Sequence, residues 1–281
     1  MVTFFEKEPY SPIEYGYEVE SILYRGKSQF QEILVVRNPY FGNMLILDGI
    51  VQLTERDEFF YHEMITHVAM HAHPAPGKVV VIGGGDGGVV REVLKHPFIE
   101  KVYLVELDEA VIRVSKEFFP TLSGDIDDPR VDVNIMDGAD FIRKISSRPS
   151  HIDVMIIDPT DIIGFARSLF TDEFFELTRK TLKSDGLFVT HCESFHFHLD
   201  TVIEIQKTLR KIFPLVDLYS VPLATYPGNW WAFAVASQKI NPRHTHRPCE
   251  IPTRYYDEEI HQHAFVPPKL FKKLMNRDLT W

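Results

Sequence analysis

The sequence predicts an α/β protein, a mostly parallel sheet with helices on both faces behind a small β module. Three observations lead there. From residue 77 onward, short apolar runs alternate with helical patterns. The first of those runs, "KVVVIG", opens directly into a glycine loop and a helix. Residues 1 to about 55, by contrast, hold only strand-length runs divided by turn signals.

The elements follow in order. "YEVESILYRG", "FQEILVVRN" and "GNMLILDGIVQLT" alternate or run apolar at strand length. Gly26, Asn38-Pro39, Gly42 and Asp48-Gly49 mark the turns between them. Residues 1–55 are therefore expected to form an N-terminal β domain, and 56–281 the α/β domain with a C-terminal extension. "DEFFYHEMITHVAMHA" reads as a helix, with Phe60, Met64, Ile65 and Val68 on one face. Pro74 and Pro76 close it. Strands are then expected at "KVVVIG", "KVYLVEL", "VDVNIMD", "IDVMIIDP" and "GLFVTHC". Between them "GVVREVLKH", "EAVIRVSKEFF", "GADFIRKI" and "TDEFFELTRKTLK" carry helical spacing. A Pro- and His-rich tail from about residue 240 ends in the helix-like "PPKLFKKLMNR".

Bulk properties bound the function. A formal charge of -10 argues against nucleic-acid or anionic-membrane partners and suits a cationic substrate. Cys192 and Cys249 have no metal or redox spacing, and no run approaches transmembrane length, so a cytoplasmic protein is expected.

The glycine loop "GGGDGG" places Gly83, Gly85 and Gly88 at dinucleotide-fingerprint spacing, which serves nicotinamide and S-adenosylmethionine enzymes alike. Ligands in such sheets sit beyond the C-terminal strand ends, and the residues there are Asp86, Glu106, Asp137 and Asp158, all acidic. Glu106 stands where an acid bonds ribose hydroxyls, and Asp137, followed by Gly138, where an adenine amino group could be held. Each acid could also be a helix N-cap. Asp86 discriminates: it would repel a pyrophosphate or the carboxylate of S-adenosylmethionine and attract an amine without one. Decarboxylated S-adenosylmethionine meets that description. Asp158 and Asp161 could then bind a diamine and accept its proton, which matters because only about one alkylamine in a thousand is neutral at pH 7.

With these residues in view, nearly the whole chain resembles the polyamine aminopropyltransferase family, the family of the spermidine synthases. The resemblance rests on "FGNMLILDGIVQLTERDEFFYHEM", "GGGDGGVVREVLKH", "VELDEAVIRVSKEFFP", "DDPRV", "DGADFI" and "TYPGNWWAF". It implies a Rossmann-like, methyltransferase-type sheet, a small N-terminal β domain, and homodimers or homotetramers. It implies aminopropyl transfer to putrescine or a similar amine, with decarboxylated S-adenosylmethionine as co-substrate and no cofactor. By residue, it implies donor contacts at Gln31, His62, Asp86, Glu106, Asp137 and Gly138, and Asp158 as proton acceptor. Acceptor contacts fall on Tyr61, Asp161 and Tyr226, and Gln52 is a further pocket residue. The chain departs from the family's usual Asp-Ser-Ser-Asp-Pro-x-Gly-Pro gate: Pro159 follows Asp158, and Ile162 and Phe165 replace prolines. His191, Trp230 and Trp231 also differ from what is usual, which leaves the acceptor open, and a longer amine is expected to be tolerated. His191 is expected to tune this by changing charge near neutral pH. A diamine N-methyltransferase on the same scaffold and a non-catalytic polyamine-binding relative remain alternatives. The His-x-His pairs at 71, 196, 244 and 261 have no third ligand nearby in sequence and are expected to be packing or surface residues, with no metal.

Overall fold

The computed structural model describes residues 2–148, 150–160 and 164–278. The chain opens with a hairpin of β1 (Val2–Lys7) and β2 (Glu14–Val19), then a four-stranded antiparallel meander. The meander comprises β3 (Ser21–Lys27), β4 (Glu32–Asn38), β5 (Gly42–Leu47) and β6 (Ile50–Thr54). "YEVESILYRG" is thus two strands in two sheets, and Asp48-Gly49 forms the expected tight turn, both with positive φ (48° and 83°). One face of the meander, Ile33, Val35, Leu45, Leu47 and Leu53, packs on Val111, Val114, Phe119 and Leu122 of the larger domain. The other, Val36, Met44, Ile46 and Val51, is covered by Tyr17 and Val19 of the hairpin.

Helix α1 (Glu58–Ala72) leads into the main sheet. Its residues Tyr61 to Ala72 are all buried, so the single apolar face expected from sequence is too narrow a description. The C-terminal extension closes the remaining side: Glu63 accepts the backbone N–H groups of Arg254, Tyr255 and Tyr256 at 2.7–2.8 Å.

The remaining elements are β7 (Lys78–Gly83), α2 (Gly88–Leu94), β8 (Lys101–Glu106), α3 (Glu109–Phe118), α4 (Pro120–Ser123), β9 (Val131–Ile135), α5 (Gly138–Ile145), β10 (Ile152–Asp158), α6 (Asp172–Thr181), β11 (Leu182–Ser194), α7 (Leu199–Ile212), β12 (Leu215–Pro222), β13 (Trp230–Ser237), α8 (Glu258–Ala264) and α9 (Pro268–Asn276). The sheet order is β12-β13-β11-β10-β7-β8-β9. β13 is antiparallel to both its neighbours; the other pairs are parallel. Side chains alternate between faces, as strand geometry requires. Val79 and Val81 of β7 and Val154 and Ile156 of β10 pack in the layer holding α1 and α2. Val80, Ile82, Met155 and Ile157 pack in the opposite layer, with α5, α6 and α7. The connection reverses between β7 and β10, so the crevice beyond their C-terminal ends is where a ligand is expected.

Candidate active site

The crevice is a cavity of about 390 Å³. Gly83 to Asp86, Glu106, Asp137, Gly138 and Asp158 line its floor at the strand ends. Gln31, Tyr61, His62 and Tyr226 complete its walls, together with Gln52. The structure thus brings together the described residues expected to bind donor or acceptor or to take the proton, whereas Trp230 lies outside the cavity, its ring against Phe195 and its Nε1 donating to Ser220. Asp161, Ile162 and the side chain of Phe165 lie outside the described residues.

Backbone geometry fixes the centre. Gly83 pairs with Asp158 across the β7–β10 ladder, and Gly84 N–H donates to the Asp158 carbonyl at 2.8 Å. Gly83 has φ +81°, and a Cβ there would stand 2.0 Å from that carbonyl oxygen. Only glycine lets the donor loop run this close to the carboxylate strand.

The Asp158 carboxylate is buried and accepts a 2.6 Å hydrogen bond from Tyr61 Oη. Burial, and then the charge of Asp86, raise its pKa to about 7. Burial and the Asp158 charge also push the Tyr61 phenol well above its usual range, so Tyr61 stays a donor. Tyr61, Tyr226 and Trp231 form an aromatic wall, with ring centroids 5.7 and 4.7 Å apart in sequence around it. Tyr226 Oη donates to the Gln52 carbonyl, which ties the loop before β13 to the N-terminal meander.

Asp86 is only partly free to meet a ligand. Its Oδ1 accepts from Gly88 N–H at 2.7 Å and lies 3.4 Å from His62 Nε2. His62 Nδ1 is 2.7 Å from Glu58, which in turn holds Arg91. Burial works against a charged His62, but Asp86 and Glu58 outweigh it and raise its pKa to about 10. The acid in the middle of the glycine loop is therefore half of an ion pair, with the capping role and the ligand-facing role combined in one side chain. Gly88 makes the pairing possible, since a Cβ there would fall 2.3 Å from the imidazole.

Glu106 accepts from Gly85 N–H at 3.2 Å and Asp108 N–H at 2.9 Å, which join the donor loop to the end of β8. Burial raises its pKa to about 7 despite those bonds. Asp137 caps α5, with Oδ1 accepting from Ala139 and Asp140 N–H, and Gly138 is the first helical residue. Gln31 Nε2 donates to Asp108 at 2.9 Å. Asp108 also caps α3 and lines the cavity, a role legible in "VELDE" but missed there. Glu6 and Glu8 reach the cavity from the N-terminal hairpin region, and no spacing in the sequence announced them. His191 is buried, with its ring stacked against Trp231 at 6.0 Å. Burial lowers its pKa to about 4, which overturns the expectation that its charge changes near neutral pH.

A glycine loop joined to a tyrosine-bonded carboxylate in an acid-lined pocket suits a cationic substrate, and comparison with known proteins identifies the family. Residues 58–246 match the spermine/spermidine synthase domain, and residues 2–55 match the spermidine synthase tetramerisation domain. The chain belongs to the spermine/spermidine synthase family. Relatives agree along its full length. A polyamine aminopropyltransferase of Hydrogenobaculum sp. is 50% identical over 100% of this chain and 99% of its own. Polyamine aminopropyltransferase 1 of Aquifex aeolicus is 48% identical over the same shares. Among solved structures, a spermidine synthase in complex with the transition-state analogue AdoDATO superposes with a TM-score of 0.94 at 36% identity, covering 98% of this chain and 95% of that one. The spermidine synthase of Thermotoga maritima gives 0.92 at 36%, covering 99% and 95%. The Rossmann-like, methyltransferase-type sheet behind a small β domain is the fold of this family. Membership also gives the reaction class: the chain is a transferase of aminopropyl groups.

Proposed function

We propose that this enzyme transfers the aminopropyl group of decarboxylated S-adenosylmethionine to putrescine or a similar amine, giving spermidine or its analogue and methylthioadenosine. The observation that carries this reading is the Tyr61–Asp158 hydrogen bond, set against the donor loop in a pocket lined by acids. The amine nitrogen attacks the aminopropyl carbon bonded to sulfur. The C–S bond breaks with its electron pair on sulfur, the new C–N bond forms, and the proton leaves the nitrogen for Asp158. A carboxylate poised near neutrality suits that transfer, because proton acceptance is most effective when the pKa lies near the working pH. Holding the two reactants in line can contribute roughly 7–11 kcal/mol.

In this reading Glu106 bonds the ribose and Asp137 with Gly138 holds the adenine. Asp86, with Gln31, receives the aminopropyl ammonium, while the charged His62 holds the Asp86 carboxylate in place from the protein side. Tyr61, Tyr226 and Asp161 place the acceptor. Aromatic faces attract alkylammonium groups, which supports the two tyrosines in that role. The negative charge at Asp86 favours a donor without a carboxylate over intact S-adenosylmethionine, which supports aminopropyl over methyl transfer. Self-assembly is supported by the tetramerisation-domain match over residues 2–55, where Val2, Phe5, Tyr10, Ile13 and Tyr40 are exposed. Whether two or four chains associate is read by light scattering.

The test is product mass spectrometry with each donor and a panel of amines: putrescine, longer diamines, agmatine and spermidine. An added aminopropyl group with the decarboxylated donor is expected. Methyl addition, or no product with any amine, would overturn the reading. Use of putrescine alone would remove the expectation that the altered gate accepts longer amines.

A further inference from the structure

We propose that His67, His71 and His96 form a binding site for one late first-row divalent cation, zinc(II) in the first instance, remote from the substrate pocket. Their ring nitrogens converge within 4.8 Å of one another, and all three residues are buried. His67 and His71 lie at i and i+4 on α1, so they project from one face of the helix. His96 comes from just beyond α2. The pairing is therefore not His-x-His, and the third histidine is remote in sequence, which is why the sequence pattern offered no site.

Hydrogen bonding orients His67 and His71 as metal-binding histidines are oriented, while His96 Nδ1 is buried with no hydrogen-bond partner. His67 Nε2 lies 2.9 Å from the Glu92 carboxylate, which only accepts, so Nε2 carries a proton and the neutral ring presents its lone pair at Nδ1. His71 Nδ1 faces the Arg247 carbonyl at 3.3 Å, so its proton sits there and Nε2 presents a lone pair. That Nε2 is buried with no hydrogen-bond partner. His96 Nε2 is 3.1 Å from His67 Nδ1. One proton on His96 can satisfy one of the two lone pairs; a cation satisfies all three nitrogens at once. Carboxylate or carbonyl on the far nitrogen is the usual support for a ligating histidine.

The distances fit a small ion. Tetrahedral ligands with bonds of about 2.0–2.1 Å stand roughly 3.3 Å apart. The His67–His96 pair is already there, and His71 must approach by a modest side-chain adjustment. Three imidazole nitrogens as ligands select zinc, copper, nickel or cobalt over magnesium and calcium. A second group, His62, Asp86 and Asp158, is compact enough for an ion but belongs to the active site, where a substrate ammonium is the expected cation. From His62 the helix rises about 7.5 Å to His67 and about 13 Å to His71, and none of the three histidines lines the substrate cavity, so the two sites are separate. The histidine site sits under the C-terminal extension: His246 N–H donates to the His71 carbonyl, and Tyr256 stacks on the His71 ring. An ion there would pin that extension to α1.

The experiment uses untagged, chelator-stripped full-length enzyme titrated with cobalt(II). One equivalent is expected to bind with the intense visible bands of a four-coordinate ion, and zinc(II) to displace it. X-ray absorption of the zinc form should show imidazole nitrogens at about 2.0–2.1 Å. His71→Phe removes a ligand and should weaken binding by more than the roughly tenfold lost when only a supporting group is removed, and leave the aminopropyl-transfer rate unchanged. Cobalt that stays six-coordinate, a zinc spectrum without imidazole, or His71→Phe binding as tightly as wild type would each overturn the proposal. So would loss of the ion in Asp158→Asn with retention in His71→Phe, which would put it in the active site. The spectroscopy on the wild-type chain decides the matter even if His71→Phe does not fold.

Discussion

Asp158→Asn removes a buried charge while keeping the shape and an acceptor for Tyr61. The folded carboxyl has its pKa raised from 3.8 to about 7, so folding disfavours the ionised form. The sign follows from linkage: the wild type is unpenalised below the unfolded pKa, loses stability as pH rises, and levels off above about 7. At about 1.4 kcal/mol per pKa unit, the cost is roughly 4 kcal/mol at pH 8 and under 2 kcal/mol at pH 5. Because the group is almost fully buried, little of this is screened by solvent. Near 2–4 °C per kcal/mol for a chain of this size, ligand-free Asp158→Asn should melt roughly 8–16 °C above wild type at pH 8 and well under half of that at pH 5. Its turnover should fall by about 10² or more. Differential scanning calorimetry on the ligand-free proteins at both pH values is the assay. A variant that melts at or below wild type at pH 8, or that gains equally at both, would refute the argument that Asp158 carries a buried, raised carboxylate.

Three further outcomes follow. For the free enzyme, kcat/KM should rise with pH on an acid limb near 7, as Asp158 loses its proton and becomes the acceptor; a flat profile from pH 6 to 8 would count against it. Asp86→Asn should weaken decarboxylated S-adenosylmethionine by roughly 1.5–3 kcal/mol and methylthioadenosine much less, measured by calorimetric titration, since only the former carries the ammonium. Equal losses would mean that Asp86 serves His62 and the loop alone. Gly83→Ala should cost at least about 1–3 kcal/mol through its positive φ, and more through the clash with the Asp158 carbonyl; an unchanged melting temperature would contradict it.

What was legible in the sequence is what depends on local spacing. Acids at the ends of parallel strands must face the same crevice once the strands are parallel, so Glu106, Asp137 and Asp158 could be placed without coordinates. The glycine loop was legible because its backbone shape is encoded in the residues themselves. What depends on distant packing was not. His62 meets Asp86 across 24 positions of chain, and no periodicity reports that they pair. The all-round burial of α1 from Tyr61 to Ala72 escaped because its Glu, Thr and His residues look like a polar face; their partners, Arg91, His96 and residues 254–256, arrive from elsewhere. Glu6 and Glu8 enter the cavity from the N-terminal hairpin region, a placement set by how the hairpin docks rather than by any motif.

The ladder contact between Gly83–Gly84 and the Asp158 backbone has a consequence for how this enzyme can change over time. The separation between donor loop and base is set by main-chain hydrogen bonds inside a seven-stranded sheet, so side-chain substitutions elsewhere can hardly alter it. The acceptor wall is assembled differently, from α1, from the loop before β13 and from the N-terminal module, held by side-chain ties such as Tyr226 to Gln52. Drift and selection therefore act on two unequal halves: the bond that is broken is inherited almost unchanged, while the amine that receives the group is open to revision one residue at a time.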